Sequence, residues 1–142
     1  MSGKEHDEFL VSVSVVVMNG NGHVLVGQRL REGHVYYGYW EIPGGKLEFK
    51  DKSLDKAAAR EVWEETGLRV SNLKLIGVKY YPKTLTNVYA GVGVGFITTE
   101  YTGTVQNLES SNLEFVPIEK ALKLKLLPWA RYFLKNTPTK GS

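Results

Sequence analysis

Three glutamates, Glu61, Glu64 and Glu65, crowd one alanine-rich stretch directly behind an arginine, Arg60. Residues three and four apart share a face of a helix, so the three carboxylates form one acidic cluster. At about 100° per residue, Glu61 and Glu65 fall on the side of Leu54, Ala57 and Ala58, the side a helix turns to the interior. Like charges at this spacing repel, and half-buried carboxylates are costly without a partner. A divalent cation answers both problems, because hard carboxylate oxygens suit Mg2+ or Mn2+. The alternative is a solvated acidic face with Lys56 and Arg60 nearby. The upstream pair Gly44-Gly45 and the length of the polar loop after it favour the cation.

The helix that must carry these side chains is bracketed in the sequence. Asp51 or Ser53 can cap its start, and Gly67 can end it in a left-handed conformation. Before it, Trp40-Glu41-Ile42-Pro43-Gly44-Gly45-Lys46 is an extended segment that ends on the glycine pair.

Gly45 through Leu68 resembles the signature of the Nudix hydrolases: glycine, five residues, glutamate, seven residues, then Arg-Glu-aliphatic-x-Glu-Glu-x-Gly-aliphatic. The second half matches at each position in Arg60-Glu61-Val62-Trp63-Glu64-Glu65-Thr66-Gly67-Leu68, and Trp40 to Lys46 resembles the approach used by MutT-type members. One position departs. The box glutamate's place, seven residues ahead of Arg60, holds Lys52, and Asp51 supplies the carboxylate if the loop holds one extra residue.

The resemblance implies an α/β fold of α+β type, an α/β/α sandwich around a mixed β-sheet. It implies metal-dependent hydrolysis of a nucleoside diphosphate linked to a further group. A pyrophosphate repels an attacking hydroxide, so bound cations must neutralise it and orient the water. By the same likeness the principal metal ligands are Glu61 and Glu65, with Glu64 as a third and the Gly44 carbonyl adding an oxygen. Arg60 orients the glutamates, and Glu48 stands behind them. The general base is Glu109, on the loop before a strand at Leu113-Glu114-Phe115-Val116, or else Glu64 or Glu65. The substrate-binding set is Arg29, Tyr39, Trp40, Lys46 and Trp129. Arg29 is equally readable as a plain strand-end arginine, and the Tyr36-to-Trp40 run as a plug for the sheet edge rather than a base-stacking platform.

The Trp40-to-Lys46 approach favours nucleoside triphosphates, cleaved to a monophosphate and pyrophosphate. A nucleotide-sugar hydrolase is the second enzyme reading, since Tyr39-Trp40, Lys50-Asp51 and Ala130 to Leu134 resemble GDP-mannose hydrolases, which depart from the second half of the box. A catalytically silent module binding a nucleotide or a protein partner is the third, and Lys52 is its one supporting feature.

Composition narrows the classes further. With 142 residues and 42% hydrophobic content, one domain over residues 1–142 is expected, with loose tails at 1–8 and 137–142. Cysteine is absent, which excludes a disulfide framework and a thiolate metal site. His6, His23 and His34 are too scattered for a zinc site. No stretch reaches the length of a membrane span, and the first residues lack a signal peptide's apolar region, so a cytoplasmic protein is expected. The net charge of +3 comes without a basic block or aromatic-interleaved stripe, so nucleic-acid binding is not indicated. A mild positive field around an acidic metal cluster suits a polyphosphate. A homodimer is compatible with the family.

The remaining pattern supplies the scaffold. Phe9 to Met18 reads as a valine-rich strand, Asn19 to Gly22 as a turn, and His23 to Arg29 as the return strand of a hairpin. Leu30 to Gly38 reads as a loop, and Leu68 to Tyr81 as a strand region interrupted near Ser71-Asn72. Val88 to Ile97 alternates, with Gly91, Gly93 and Gly95 leaving one face bare for close packing by the glutamate helix. Glu100 to Asn112 reads as a polar loop. A short strand follows at Leu113 to Val116, then a helical turn at Ile118 to Lys123 and a last helix from Trp129 to Lys135.

Overall fold

The valine-rich strand β1 (Phe9–Val17) is the centre of the fold. In the computed structural model, which describes residues 9–30, 32–33, 36–82, 90–106 and 111–138, it pairs on both edges. On one side lies the short antiparallel β4 (Gly44–Lys46), and on the other β7 (Ala90–Thr98), parallel over nine residues. Strand β6 (Lys74–Tyr81) closes a four-stranded mixed sheet in the order β4-β1-β7-β6.

The return strand β2 (His23–Arg29) forms as the turn residues foretell, but it does not stay beside β1. The two meet at a single bridge, Met18 with Val24, and β2 then diverges into a second sheet between β3 (Trp40–Glu41) and β9 (Ser111–Pro117). Apolar residues explain the divergence. Val24 and Val26 belong to one core cluster and Leu25 to the other, so β2 is buried on both faces and needs partners on both edges. The segment expected as a polar loop after Glu100 contains β8 (Glu100–Thr102), paired with β5 (Arg69–Ser71).

Two helices cover the sheets from opposite sides. The helix α1 (Leu54–Thr66) starts at Ser53, whose extended backbone lets its hydroxyl accept from the Lys56 amide, and ends at Gly67 with φ of 79°. It buries Ala57, Ala58 and Val62 against Val13, Val15, Val17, Val94 and Phe96. On the other side, the helical turn α2 (Ile118–Ala121) leads to α3 (Pro128–Lys135), which carries Ala130, Phe133 and Leu134 into a cluster with Val16, Val26 and Ile42. Arg131 fixes α3 by donating to the carbonyls of Leu122 (2.9 Å) and Leu124 (3.0 Å). Thr137, placed by the sequence in a loose tail, is buried and donates to the Phe133 carbonyl. The layers are those of an α/β/α sandwich.

The bare glycine face of β7 is covered by α3, not by the glutamate helix. A Cβ at Gly95 would fall on the Phe133 ring, and one at Gly93 would sit 3.3 Å from the Tyr81 ring. Alternation sets this outcome: Val94 and Phe96 face α1, so the glycines must face away. No helix among the described residues is long and apolar enough to cross a membrane.

Candidate active site

The pairing of Val13 with Gly45 and of Ser14 with Gly44 turns the two glycines to opposite faces of the sheet. Gly45 faces α1. A Cβ there would land on the Glu61 carboxyl group, so the carboxyl occupies space that only glycine leaves open. One turn on, Glu65 Oε1 accepts from the Gly44 amide at 3.1 Å. That bond ties the edge strand β4 to the glutamate helix at Gly44, whose carbonyl is the one expected as a metal ligand. Glu61 is buried and Glu64 exposed. Burial pushes the Glu61 carboxyl above its ordinary value, against the pull of the Arg60 guanidinium.

Arg60 is the hub of the acidic cluster. Its Nε and Nη2 each donate to one Asp51 oxygen at 2.9 Å, a fork-to-fork pair. Its Nη1 lies 3.1 Å from Glu64 Oε1 and 3.3 Å from both Glu61 Oε2 and Glu48 Oε2. The guanidinium and the Glu48 amide hold the Asp51 carboxyl below its usual range. The missing box glutamate is thus answered: Lys52 is exposed, and the carboxylate facing Arg60 comes from Asp51, one residue earlier. The loop makes this possible by turning tightly, with Asp51 N donating to Glu48 O (3.0 Å) and Glu48 N to Asp51 Oδ2 (2.8 Å).

The donor set fits a hard divalent ion in chemical type, and the vacant Cβ position at Gly45 gives Glu61 its place beside the backbone. The cluster is arranged about a cation already, and that cation is Arg60. Among the described residues no three His, Cys, Asp or Glu side chains surround a point ready for a metal ion. Glu61, Glu64 and Glu65 are the residues that would hold one.

A cavity of about 230 Å³ opens on the other face of the same edge strand. It touches Gly44, Gly45 and Lys46, the strand whose two glycines also meet Glu65 and Glu61. Of the expected substrate-binding residues, Arg29, Lys46 and Trp129 line it. Arg29 is held by Glu41, with Nε to Oε2 at 2.6 Å and Nη2 to Oε1 at 3.3 Å. Tyr39 and Trp40 are not brought there. Both pack against the α3-side core, Tyr39 under Lys125 and Trp40 through backbone bonds to Lys125 and Leu127. Glu109 lies outside the described residues.

Sequence reasoning missed Ser12, Ser14, Glu41 and Tyr81, which also line the cavity. The serines left a signal, since they alternate with Val11, Val13 and Val15 and so mark one polar face of a buried strand. Glu41 and Tyr81 left none. Tyr81 is 5% exposed, its hydroxyl has no hydrogen-bond partner among the described residues, and burial pushes its phenol upward.

Comparison with known proteins agrees with this architecture. The NUDIX domain family model matches residues 8–137. An RNA pyrophosphohydrolase of Bartonella henselae is 42% identical over 139 residues, covering 90% of this chain and 78% of that protein. A MutT-like protein of Streptomyces ambofaciens is 42% identical over 80 residues, 56% of this chain, and the match spans 47% of that relative's length. The crystal structure of a MutT NUDIX hydrolase from Burkholderia pseudomallei superposes with a TM-score of 0.82 over 93% of this chain and 100% of its own, at 21% identity. Since the match runs from the first strand through the last helix rather than over the glutamate helix alone, the chain belongs to the NUDIX family by fold as well as by motif.

Proposed function

We propose that the chain is a Mg2+- or Mn2+-dependent hydrolase that cleaves a phosphoanhydride bond of a nucleoside triphosphate or related nucleoside diphosphate derivative, releasing a monophosphate and pyrophosphate. The observation that carries this reading is the Glu61 carboxyl seated in the gap left by Gly45, at a strand edge that also lines a cavity. Glu61 and Glu65 are the principal ligands, with Glu64 beside them. A bound divalent ion neutralises the polyphosphate and polarises the attacking water. The chain's own residues supply the rest. Arg60 balances the cluster's charge, Lys46 and Arg29 meet phosphate oxygens, and Trp129 walls the cavity for a base. Glu109 is the general base by family resemblance, with Glu64 or Glu65 as alternatives.

A cavity of about 230 Å³ lies below the usual ~300–1,000 Å³ of small-ligand sites, which suits one base or sugar unit and not two nucleosides. A second reading shares the chemistry and differs in the leaving partner. The Bartonella henselae relative, matched over most of this chain, bears the name RNA pyrophosphohydrolase, so a 5′-triphosphorylated RNA end is the competing substrate.

Release of phosphate and pyrophosphate is the test, using nucleoside triphosphates, nucleotide sugars, dinucleotide polyphosphates and 5′-triphosphorylated RNA, each with and without Mg2+. Metal-dependent pyrophosphate release from free triphosphates, lowered ~10²-fold or more in Glu65→Gln, is the expected result. Faster release from the RNA end selects the second reading. Turnover unaffected by Glu65→Gln, or no turnover at all, overturns both.

A further inference from the structure

The valine-rich strand β1 is interrupted twice by serine, at Ser12 and Ser14. Val13, Val15 and Val17 face α1, so alternation turns both serines to the other face of the sheet, where the cavity lies. Ser14 is only 4% exposed, deep in the strand. Neither serine hydroxyl makes a hydrogen bond among the described residues. A hydroxyl in such a place is costly unless something pairs with it, and valine would suit the strand better. Both serines line the cavity, so its occupant is what can complete them.

The pairing register shows what stands on either side. Ser12 lies opposite Lys46 of β4 and, on its other edge, Gly93 of β7. A Cβ at Gly93 would sit 3.3 Å from the Tyr81 ring and 3.6 Å from Ser12 Oγ, so those two groups border the same open space. The order across the cavity floor is therefore cation, hydroxyl, aromatic ring. The last of these, Tyr81, meets Trp129 edge-on at 5.9 Å between centroids. A nucleotide has the matching order of phosphate, sugar and base. Along β1, residues two apart stand about 7 Å from each other. Hydrogen bonds of about 2.8 Å reaching in from both serines leave the width of a vicinal diol between them.

We infer that Ser12 and Ser14 are specificity-determining residues that hydrogen-bond the 2′- and 3′-hydroxyls of a ribose, so that the chain selects ribonucleotides over 2′-deoxyribonucleotides. The inference rests on the nucleotide reading proposed above and adds the sugar to it. Sugar and serine hydroxyls each donate and accept, so the bonds can run either way round. A substrate without the 2′-hydroxyl leaves one serine unpaired inside a buried strand, and that loss is what rejects it.

Calorimetry on the full chain, with nucleoside monophosphates and their 2′-deoxy counterparts in Mg2+, tests this without reference to turnover. The unaltered chain is expected to bind the ribonucleotide about 3–10-fold more tightly, the worth of one neutral hydrogen bond. The double variant Ser12→Ala/Ser14→Ala should bind both sugar forms equally, and both more weakly. Its Tm should hold or rise, because the hydroxyls bond to nothing in the fold. An unaltered chain that binds the two forms alike overturns the inference, as does one that binds neither. So does a double variant that keeps the ribose preference, whatever its Tm. Ribose-selective binding without hydrolysis of any triphosphate overturns the hydrolase reading instead and leaves the sugar assignment standing.

Discussion

The carboxyl group of Glu61 lies where the side chain of residue 45 would begin, and Gly45 leaves that space empty. Gly45 is not among the positive-φ residues, so its backbone admits alanine without strain. Gly45→Ala therefore acts first on Glu61, whose carboxyl supplies the three nearest atoms. A displacement of about 1 Å at a reacting centre costs on the order of 10²-fold, so kcat/KM for a nucleotide substrate should fall by about that factor. Thermal melting beside the kinetics makes the check, with Tm expected to move little. Unchanged turnover would mean that the position of Glu61 is immaterial.

Glu61 gives a stability signature of its own. Its carboxyl is pushed up by burial, so the folded chain holds its proton to higher pH than the unfolded chain does. Both forms are protonated at low pH, and the penalty grows as pH rises through the unfolded value of 4.5 to the folded one, then stays constant. With metal chelated, Glu61→Gln should raise Tm at neutral pH, and the gain should vanish near pH 4. Asp51 has the opposite sign: its stabilisation is full above 3.8 and fades as pH falls through its depressed folded value. Melts across the pH range separate the two.

Arg29 and Glu41 form a charge pair at the cavity wall, each about a quarter exposed. Arg29→Met leaves Glu41 facing a polyanionic ligand, and KM for a nucleoside triphosphate should rise ~10-fold with a smaller change in kcat. Arg29→Met combined with Glu41→Gln should recover part of the loss. A KM equal in all three proteins would remove Arg29 from the substrate site.

Gly95 and Phe133 test the scaffold rather than the site. A methyl at residue 95 collides with the ring, and overpacking of this kind costs about 1–3 kcal/mol. Gly95→Ala should lose that much in urea denaturation while Mn2+ affinity holds. A larger loss of metal binding than of stability would link α3 to the glutamates.

What could be read from the chain was whatever is local. The span of α1, its end at Gly67 and the clustering of its glutamates follow from neighbours within a few residues. The two candidate caps sort themselves by reach: Ser53 caps the helix, and Asp51 goes to Arg60. What could not be read joins distant parts. The divergence of β2 from β1 depends on β9, the glycine stripe finds its cover in Phe133, and the partner of Arg29 is Glu41 across a strand pair. Trp40 has the character of a stacking residue, yet its backbone bonds to Lys125 and Leu127 draw it into the core.

The nine-residue parallel ladder of β1 with β7 also bears on how the chain is assembled. Each β1 residue waits for a partner made roughly eighty positions later, and closing so long a loop is slow. Until β7 arrives, the first strand keeps a valine-rich edge exposed, able to pair with a second nascent chain. Crowded synthesis should therefore favour aggregates seeded at Phe9–Val17, and expression at reduced temperature should suppress them.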